Sequence, residues 1–324
     1  MSGEPPASSD VAHRAEPSGQ AEGLLPHLRY LVRSLRPRQW TKNLIVFLAL
    51  IFSINQEWEL SDPSSWGPML GRSALVFLLF CLISSADYLV NDVADRENDR
   101  HHPRKRLRPI AAGLLSPRAA LFWALALALV SLGGGFAMEW RVGAVLSGYA
   151  VLMLSYTFFL KHIVLLDMMT IGAGFVLRAM TGALAIDVPI SPWLYIVTAL
   201  GALFLIIHKR RAELTTLDAS AAEHRPILDE YSTTMLDQMA SLVTASTLIS
   251  YGLYTFTAEN LPENNAMMLT IPFVLYGLLR YLYLVHQRNE GGSPEEILLR
   301  DRPLMIDILL WLATAAAVLV VFGD

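Results

Sequence analysis

The chain has 324 residues, of which 54% are hydrophobic and only 17% are charged. Soluble domains carry less apolar sequence and do not gather it into such long runs, so the composition excludes an ordinary soluble protein. The single cysteine, Cys81, excludes an intramolecular disulfide and a thiolate metal site.

Two elements are predicted before the first apolar run. Residues 1–25 are rich in Pro, Ser, Ala and Glu and lack the apolar stretch of a signal peptide, so a disordered tail is expected there. Next, apolar residues at i, i+3, i+4 and i+7 alternate with arginines, which predicts a short basic amphipathic helix on the inner leaflet. The apolar positions are Leu28, Leu31, Val32 and Leu35, and the basic ones are Arg29, Arg33 and Arg36.

Residues 26–324 contain nine apolar runs that approach the roughly 20 residues needed to cross a bilayer core. A backbone inside a membrane must satisfy its own hydrogen bonds, so every run is predicted to be a helix. The expected fold class is all-α, a polytopic bundle of nine transmembrane helices in one catalytic domain. The predicted spans are 42–56, 70–91, 118–137, 141–160, 163–186, 190–208, 235–257, 266–287 and 304–322.

Basic residues are concentrated before the first span and in the even-numbered connections, whereas acidic residues dominate the odd-numbered ones. By the positive-inside rule, this distribution predicts a cytoplasmic N-terminus and an external C-terminus. It also predicts two long cytoplasmic loops, 92–117 and 209–234. The expected location is the plasma (inner) membrane, with a site that faces the cytoplasm.

The densest charge begins at the end of the second span, in the stretch NDVADRENDR. Asn91, Asp95 and Asp99 are four residues apart and Asp92 precedes Asp95 by three, so a continued helix would place all four on about one face. A solvated helix end is the simpler interpretation of such a cluster. However, carboxylates at this spacing beside a bilayer suit Mg²⁺, which binds a few carboxylates and completes its shell with water and phosphate. These four residues, hereafter the acidic run, are the predicted metal ligands.

The acidic run followed by RPIAAG (108–113) resembles the first aspartate-rich motif of the UbiA superfamily of intramembrane prenyltransferases. The resemblance extends over nearly the whole chain. It implies a bundle of nine transmembrane helices that opens to the cytoplasm, and an acidic motif that binds Mg²⁺ and the substrate diphosphate.

The chain departs from ordinary members of the superfamily after the sixth span. Those members carry a second acidic DxxxD motif there, whereas this chain has HKRRAELTTLD (208–218), in which three consecutive cations suggest direct neutralisation of an additional phosphate. Together with RPRQWTKN (36–43), SYTFFLKHIVLLD (155–167) and FVLRAMTGA (175–183), this segment resembles the phosphoribosyltransferase branch of the superfamily. The resemblance implies transfer of 5-phosphoribosyl from phosphoribosyl pyrophosphate to decaprenyl phosphate, with release of pyrophosphate, for the synthesis of cell-wall arabinan precursors.

The candidate site residues lie in these segments. Asp92, Asp95 and Lys161 are the predicted catalytic residues; Lys161 matches the Lys of a Tyr and Lys element of the superfamily. Asp167 and Arg178 are ionisable residues inside a span, eleven positions apart and hence on one face, and are either substrate contacts or a structural buried pair. The predicted substrate-binding residues are Lys42, Asn43, Asp87, Arg104, Lys105, Arg108, Tyr156, Asp167, Arg178, Lys209, Arg210, Arg211 and Glu213.

Two other functions stay open on the sequence. Within the superfamily, the alternative is a prenyltransferase that joins a prenyl diphosphate to an aromatic acceptor, with Glu213 as part of a degenerate second motif. A membrane transporter or lipid-binding scaffold is the alternative of another class, although the polar residues gather on one side of the membrane and not along a path through it. The expected partners are the two substrates and membrane lipids, with no nucleic acid, and a homo-oligomer is left open.

Overall fold

The computed structural model describes residues 24–55, 57–103, 105–189, 191–217, 226–258, 261–288, 291–292 and 294–322. The regular structure of these residues is helical, and their only other feature is an isolated bridge between Ile54 and Trp58. The predicted all-α fold class is therefore confirmed. The α-helices are α1 (Leu24–Ser34), α2 (Leu48–Ile51), α3 (Pro63–Ala94), α4 (Arg96–His101), α5 (Pro117–Met138), α6 (Trp140–Phe158), α7 (Leu166–Ile186), α8 (Pro192–Leu217), α9 (Thr233–Thr257), α10 (Ile271–Arg288), α11 (Pro294–Arg300) and α12 (Arg302–Phe322).

Seven helices of the described chain are long and apolar enough to cross a membrane. They are α3, α5, α6, α7, most of α8, α10 with the 3₁₀ turn before it, and α12. The predicted count of nine is therefore not reproduced among the described residues. One of the two exceptions is α9, which has the length of a span, but Ser, Thr and Tyr residues interrupt its apolar sequence. Because α9 packs extensively on α8, it belongs to the bundle nonetheless.

The other exception is the predicted first span, 42–56. The chain forms a 3₁₀ helix there, Pro37–Phe47, which is followed only by the four residues of α2. Val46 is fully buried, and its carbonyl oxygen lies 2.1 Å from the position that a Cβ on Gly182 of α7 would occupy. Backbone that is not α-helical is tolerated at membrane depth where protein covers it, and glycine permits this close approach.

Helices that follow one another in sequence pack side by side: α5 on α3, α6 on α5, α7 on α6, α8 on α7 and α9 on α8, while the 3₁₀ segment lies against α3 and α7. Their alternating directions bring the C-terminal ends of α3, α6 and α8 together with the N-terminal ends of α7 and α9. Hydrogen bonds across this end of the bundle, described below, join residues from all of these elements. We call it the site end.

The amphipathic helix predicted before the first span is α1. Leu31 and Ser34 are buried, whereas Leu28 and Val32 are 53% and 46% exposed, so α1 leaves an apolar strip uncovered. Its placement on the inner leaflet stays a prediction. Residues 1–23 of the predicted tail lie outside the described residues.

Candidate active site

The acidic run is divided between two helices. Asn91 and Asp92 lie on the last turn of α3, which ends at Ala94, and Asp99 lies on α4. Asp95 is the junction between the two helices. The predicted continuous helix is therefore interrupted, and the four side chains do not form one straight stripe.

Arg108 joins the two parts of the acidic run. Its Nη1 donates to Asp92 Oδ1 at 3.0 Å and to Asp99 Oδ2 at 2.6 Å. Arg36, between α1 and the 3₁₀ segment, also donates to Asp92 Oδ1. Both carboxylates are only 2% exposed, and buried charges are stable when they are paired. Two arginines that are distant in sequence therefore hold these acids in place.

The environment of Asp99 also involves Lys105. Burial raises the pKa of the Asp99 carboxyl, and the positive charges of Arg108 and Lys105 oppose that rise. Lys105 thus lies close enough to influence the acidic run. The neighbouring candidate, Arg104, lies outside the described residues.

The end of α6 brings a third cation to the acidic run. Lys161, in the turn after α6, donates to Asp95 Oδ1 at 2.6 Å, and Thr157 on α6 donates to Asn91 Oδ1 at 3.5 Å. Asp95 has a side-chain exposure of 26%, far above that of the paired Asp92. It is therefore the most accessible carboxylate of the acidic run.

A second polar cluster surrounds Arg210 on α8. The guanidinium donates from Nε to Asp167 Oδ2 at 3.0 Å and from Nη1 to Glu213 Oε2 at 2.6 Å, and Nη2 lies 3.5 Å from the Tyr156 hydroxyl. Asp167 is fully buried and Arg210 is 2% exposed. On the other side of the carboxylate, Tyr231 donates to Asp167 Oδ1 at 2.8 Å. A buried cation is thus balanced by two acids and fixed in orientation.

The basic residues 209–211 do not form one patch, because consecutive side chains of an α-helix point about 100° apart. Arg211 donates to Asp237 of α9 at 2.5 Å, and Asp237 also lies 3.3 Å from His286 of α10. Lys209 instead lines a cavity together with Arg210. The structure therefore brings Lys209 and Arg210 to one space, while Arg211 ties α8 to α9.

That cavity has a volume of about 540 Å³. Thr41, Lys42, Tyr156, Lys209 and Arg210 form its polar lining, and the other lining residues are apolar. A predominantly apolar cavity of about 380 Å³ adjoins it and shares part of its lining. We call the two together the chamber, and the part lined by Lys42, Lys209 and Arg210 the chamber mouth. The residues that line both parts are Ile45, Phe175, Ala202, Leu205, Leu298 and Ile308.

Asp167 and Arg178 share α7, as the spacing predicts, but they have different partners. Arg178 donates to Asn43 Oδ1 and to the Tyr149 hydroxyl, each at 2.7 Å, and its guanidinium lies 4.7 Å from the centre of the Tyr149 ring. Asn43 in turn donates to Cys81 Sγ at 3.3 Å. The direct Asp167–Arg178 pair is not formed, because eleven residues of one α-helix rise about 16.5 Å, which is beyond the reach of the two side chains.

The acidic run has the donor chemistry of a site for a hard divalent cation, since all of its ligating atoms are oxygens. One turn earlier on α3, Asp87 adds a buried Oδ1 that has no hydrogen-bond partner among the described residues. Within the described chain no three acidic or histidine side chains converge as a metal-binding group, because Asp92, Asp95 and Asp99 are each drawn toward Arg or Lys. The run thus combines suitable donors with carboxylates held in ion pairs.

Four residues that complete these clusters were not singled out from the sequence. Arg36 was assigned to the amphipathic helix, although it begins the RPRQWTKN segment that carries the resemblance. Thr157, Tyr231 and Asp237 had no signal of their own, because their roles depend on which helices pack together.

The chain is similar over most of its length to known membrane enzymes. The model of the UbiA prenyltransferase family matches residues 60–299. A decaprenyl-phosphate phosphoribosyltransferase from Mycolicibacterium smegmatis is 34% identical over 322 residues, which cover 95% of this chain and 98% of that protein. The protein of the same name from Mycobacterium tuberculosis is 34% identical, with coverage of 90% and 95%. Among solved structures, a UbiA homolog from Archaeoglobus fulgidus bound to GPP and Mg²⁺ shares the fold, with a TM-score of 0.68 and 20% identity over 90% of this chain and 100% of that chain.

Proposed function

The chain belongs to the UbiA prenyltransferase family, and we propose that it transfers the 5-phosphoribosyl group of phosphoribosyl pyrophosphate to decaprenyl phosphate or a related polyprenyl phosphate, releasing pyrophosphate. Two relatives named for this activity match 90% or more of the chain. The observation that carries the proposal is the presence of two adjoining charged sites with different composition. The acidic run combines carboxylates with Arg36, Arg108 and Lys161, which suits a water-soluble diphosphate with a divalent cation. The other site places Lys42, Lys209 and Arg210 beside an apolar chamber, which suits a lipid phosphate.

Neighbouring residues of α6 connect the two sites. Thr157 contacts Asn91 of the acidic run, and Tyr156 contacts Arg210 at the chamber mouth. A donor in the first site and an acceptor in the second would therefore meet beside this turn of α6. Proximity of this kind converts a reaction between two substrates into one within a single complex.

We assign the diphosphate of the donor to the acidic run and its cations. Arg36, Arg108 and Lys161 lie there. We assign Lys105, whose charge acts on Asp99, and its sequence neighbour Arg104 to the remaining phosphate of the donor. Fixed positive charges stabilise the negative charge that develops on a leaving pyrophosphate, and such electrostatic stabilisation is usually a large part of catalysis. Lys161 is the cation that we place nearest the reacting atoms.

The acceptor phosphate is assigned to Lys42, Lys209 and Arg210, with its polyprenyl chain in the chamber. One phosphate oxygen attacks the anomeric carbon of the ribose, and the bond from that carbon to the pyrophosphate oxygen breaks. The electron pair leaves with pyrophosphate. A strong general base is not required, because the acceptor phosphate is already ionised near neutral pH.

Mg²⁺ is the proposed cofactor, to be held by Asn91, Asp92, Asp95 and Asp99, with Asp87 in support. When bound, a divalent cation neutralises phosphate charge and orients the diphosphate. The Archaeoglobus fulgidus relative is bound to Mg²⁺, and the all-oxygen donor set fits this ion. The residues of this chain supply the ligands and the cations around them.

The protein is an integral membrane protein. We propose that it lies in the inner membrane with the site end in the cytoplasm, since the basic loops lie at that end. This placement gives a soluble phosphorylated sugar access to the acidic run, while the chamber lies among the apolar helices. Labelling of cysteines introduced on either side in intact cells tests the orientation.

Transfer of label tests the function directly. Purified protein is incubated with phosphoribosyl pyrophosphate labelled in the ribose and with polyprenyl phosphate, with and without a Mg²⁺ chelator. We expect label in the organic phase only when both substrates and Mg²⁺ are present. Label transferred instead from a prenyl diphosphate to an aromatic acceptor would identify the alternative enzyme of the family, and lipid binding without any transfer would indicate a scaffold.

The matched control for this assay is Asp62→Asn. Asp62 is exposed and lies at the end of the bundle opposite the site, where its carboxylate accepts hydrogen bonds from the Ser64 backbone N–H and hydroxyl. Its replacement removes one acid without touching either cluster. Full activity of this variant, beside a loss of activity in Asp95→Asn, would show that the acidic run, and not the total charge of the protein, supports the transfer.

A further inference from the structure

Tyr231 links two elements of the second cluster through one hydroxyl group. The hydroxyl donates to Asp167 Oδ1 at 2.8 Å and accepts from the Leu165 backbone N–H at 2.7 Å. Burial raises the pKa of this phenol to about 12, so it stays protonated and donates at physiological pH. The two bonds fix both the donor and the acceptor direction of the hydroxyl.

The Asp167 carboxylate is the next member of this chain of contacts. Its Oδ1 accepts from Tyr231, and its Oδ2 accepts from Arg210 Nε at 3.0 Å. A hydrogen bond that holds Oδ1 restricts rotation of the carboxylate and therefore limits the positions that Oδ2 can take. The contact at Nε in turn leaves the Nη2 edge of Arg210 directed toward Tyr156, a lining residue of the chamber mouth.

The ring of Tyr231 is anchored independently of the hydroxyl. It is 5% exposed and packs with Met168 of α7, Ile206 of α8 and Leu236 of α9. Replacing it by Phe therefore retains the packing and removes only the hydrogen bonds. The Tyr231 hydroxyl accepts its hydrogen bond from the backbone N–H of Leu165. Leu165 has a φ of 68°, a value that costs free energy for a residue other than glycine.

Tyr231 also lies near the end of the connection between α8 and α9. Directly before Tyr231 lies the 3₁₀ turn Pro226–Glu230, in which Ile227 and Leu228 are buried. The Tyr231 hydroxyl thus joins the end of this connection to the start of α7, close to Arg210.

From this geometry we propose that Tyr231 is a positioning residue for the acceptor phosphate: through Asp167 it holds Arg210 in the orientation that binds polyprenyl phosphate. The proposal rests on the assignment of the acceptor to the chamber mouth. Tyr231 itself contacts neither substrate.

The test compares Tyr231→Phe with Ser131→Ala, a control that removes another buried hydroxyl group. The Ser131 hydroxyl lies away from the site end and donates to the Leu79 carbonyl oxygen at 2.8 Å. We expect Tyr231→Phe to raise KM for polyprenyl phosphate about tenfold, equivalent to about 1.4 kcal/mol, and to leave KM for phosphoribosyl pyrophosphate unchanged. Ser131→Ala should change neither KM. Equal changes in both KM values, or no change in either, would overturn the proposal.

Binding of farnesyl phosphate, measured by calorimetry, gives a readout that does not depend on turnover. Tyr231→Phe and Asp167→Asn should both weaken it about tenfold, and the second variant serves if the first is too unstable to purify. Wild-type protein that binds farnesyl phosphate but transfers no ribose phosphate would refute the proposed function alone. Wild-type affinity in the purified variants would refute the positioning role alone.

Discussion

Arg210→Met separates the structural role of Arg210 from its functional role. Methionine retains much of the side-chain volume and removes the charge, which leaves the fully buried Asp167 without its opposite charge. Removal of one partner of a buried ion pair costs about 3–5 kcal/mol. Glu213, the other acidic partner, has a side-chain exposure of 26% and can turn toward solvent, so we expect most of this cost at Asp167. The midpoint of thermal unfolding should fall by several degrees.

The double variant Arg210→Met, Asp167→Asn should recover most of the lost stability. The neutral Asn leaves no uncompensated charge, and its Oδ1 still accepts from Tyr231. Transfer to polyprenyl phosphate should nevertheless stay at least tenfold below wild type, because a desolvated charge-assisted contact contributes about 1.5–3 kcal/mol. Thermal unfolding in detergent and the transfer assay measure the two effects. Recovery of activity together with stability would refute the assignment of Arg210 to substrate binding.

The other predictions concern separate parts of the molecule. Asp95→Asn removes the most accessible charge of the acidic run. Turnover of the folded variant at limiting Mg²⁺ should fall at least tenfold, from a loss of about 1.5–3 kcal/mol, and a wild-type rate would contradict the role of Asp95. Lys209→Gln should raise KM for polyprenyl phosphate, whereas Arg211→Gln should lower thermal stability without changing KM. Equal effects of the two variants on KM would contradict the assignment of Lys209 to the chamber and of Arg211 to the contact between α8 and α9. A hydrogen bond from Arg280 lowers the pKa of Asp301, so this stabilising contribution is present above about pH 4 and is lost as the pH falls through the lowered pKa. Asp301→Asn should therefore unfold at a lower temperature than wild type at pH 7, with a difference that shrinks below about pH 4; a difference independent of pH would exclude the ion pair as its cause.

Local sequence patterns were sufficient to predict most of the helices. The runs that became α3, α5, α7 and α12 are apolar and long, and their predicted bounds differ from the observed ones by only a few residues at most ends. The first run is not confirmed as a spanning α-helix, because its residues form a 3₁₀ segment in contact with Gly182, and no local pattern reveals that contact. Its length and hydropathy resemble those of a membrane helix even though its residues form a 3₁₀ segment.

The candidate site was predictable in its composition but not in its pairings. The spacing of the acids and the density of nearby cations located the acidic run, and the structure places Arg108 and Lys161 beside it. The partner of Asp167 could not be inferred from the α7 periodicity, since Arg210 comes from the neighbouring helix. Likewise, three adjacent cations look equivalent in a sequence, whereas a helix turns Arg211 away from the other two.

Gly182 and Val46 meet with no side chain between them, so the separation of α7 from the 3₁₀ segment is set by two backbones. Side chains can change rotamer to absorb a small displacement, but backbone atoms in contact cannot. Lys42 lies on the same 3₁₀ segment, four residues before Val46, so this contact also restrains the backbone that carries Lys42. A side chain at position 182 would therefore force the 3₁₀ segment to lie farther from α7.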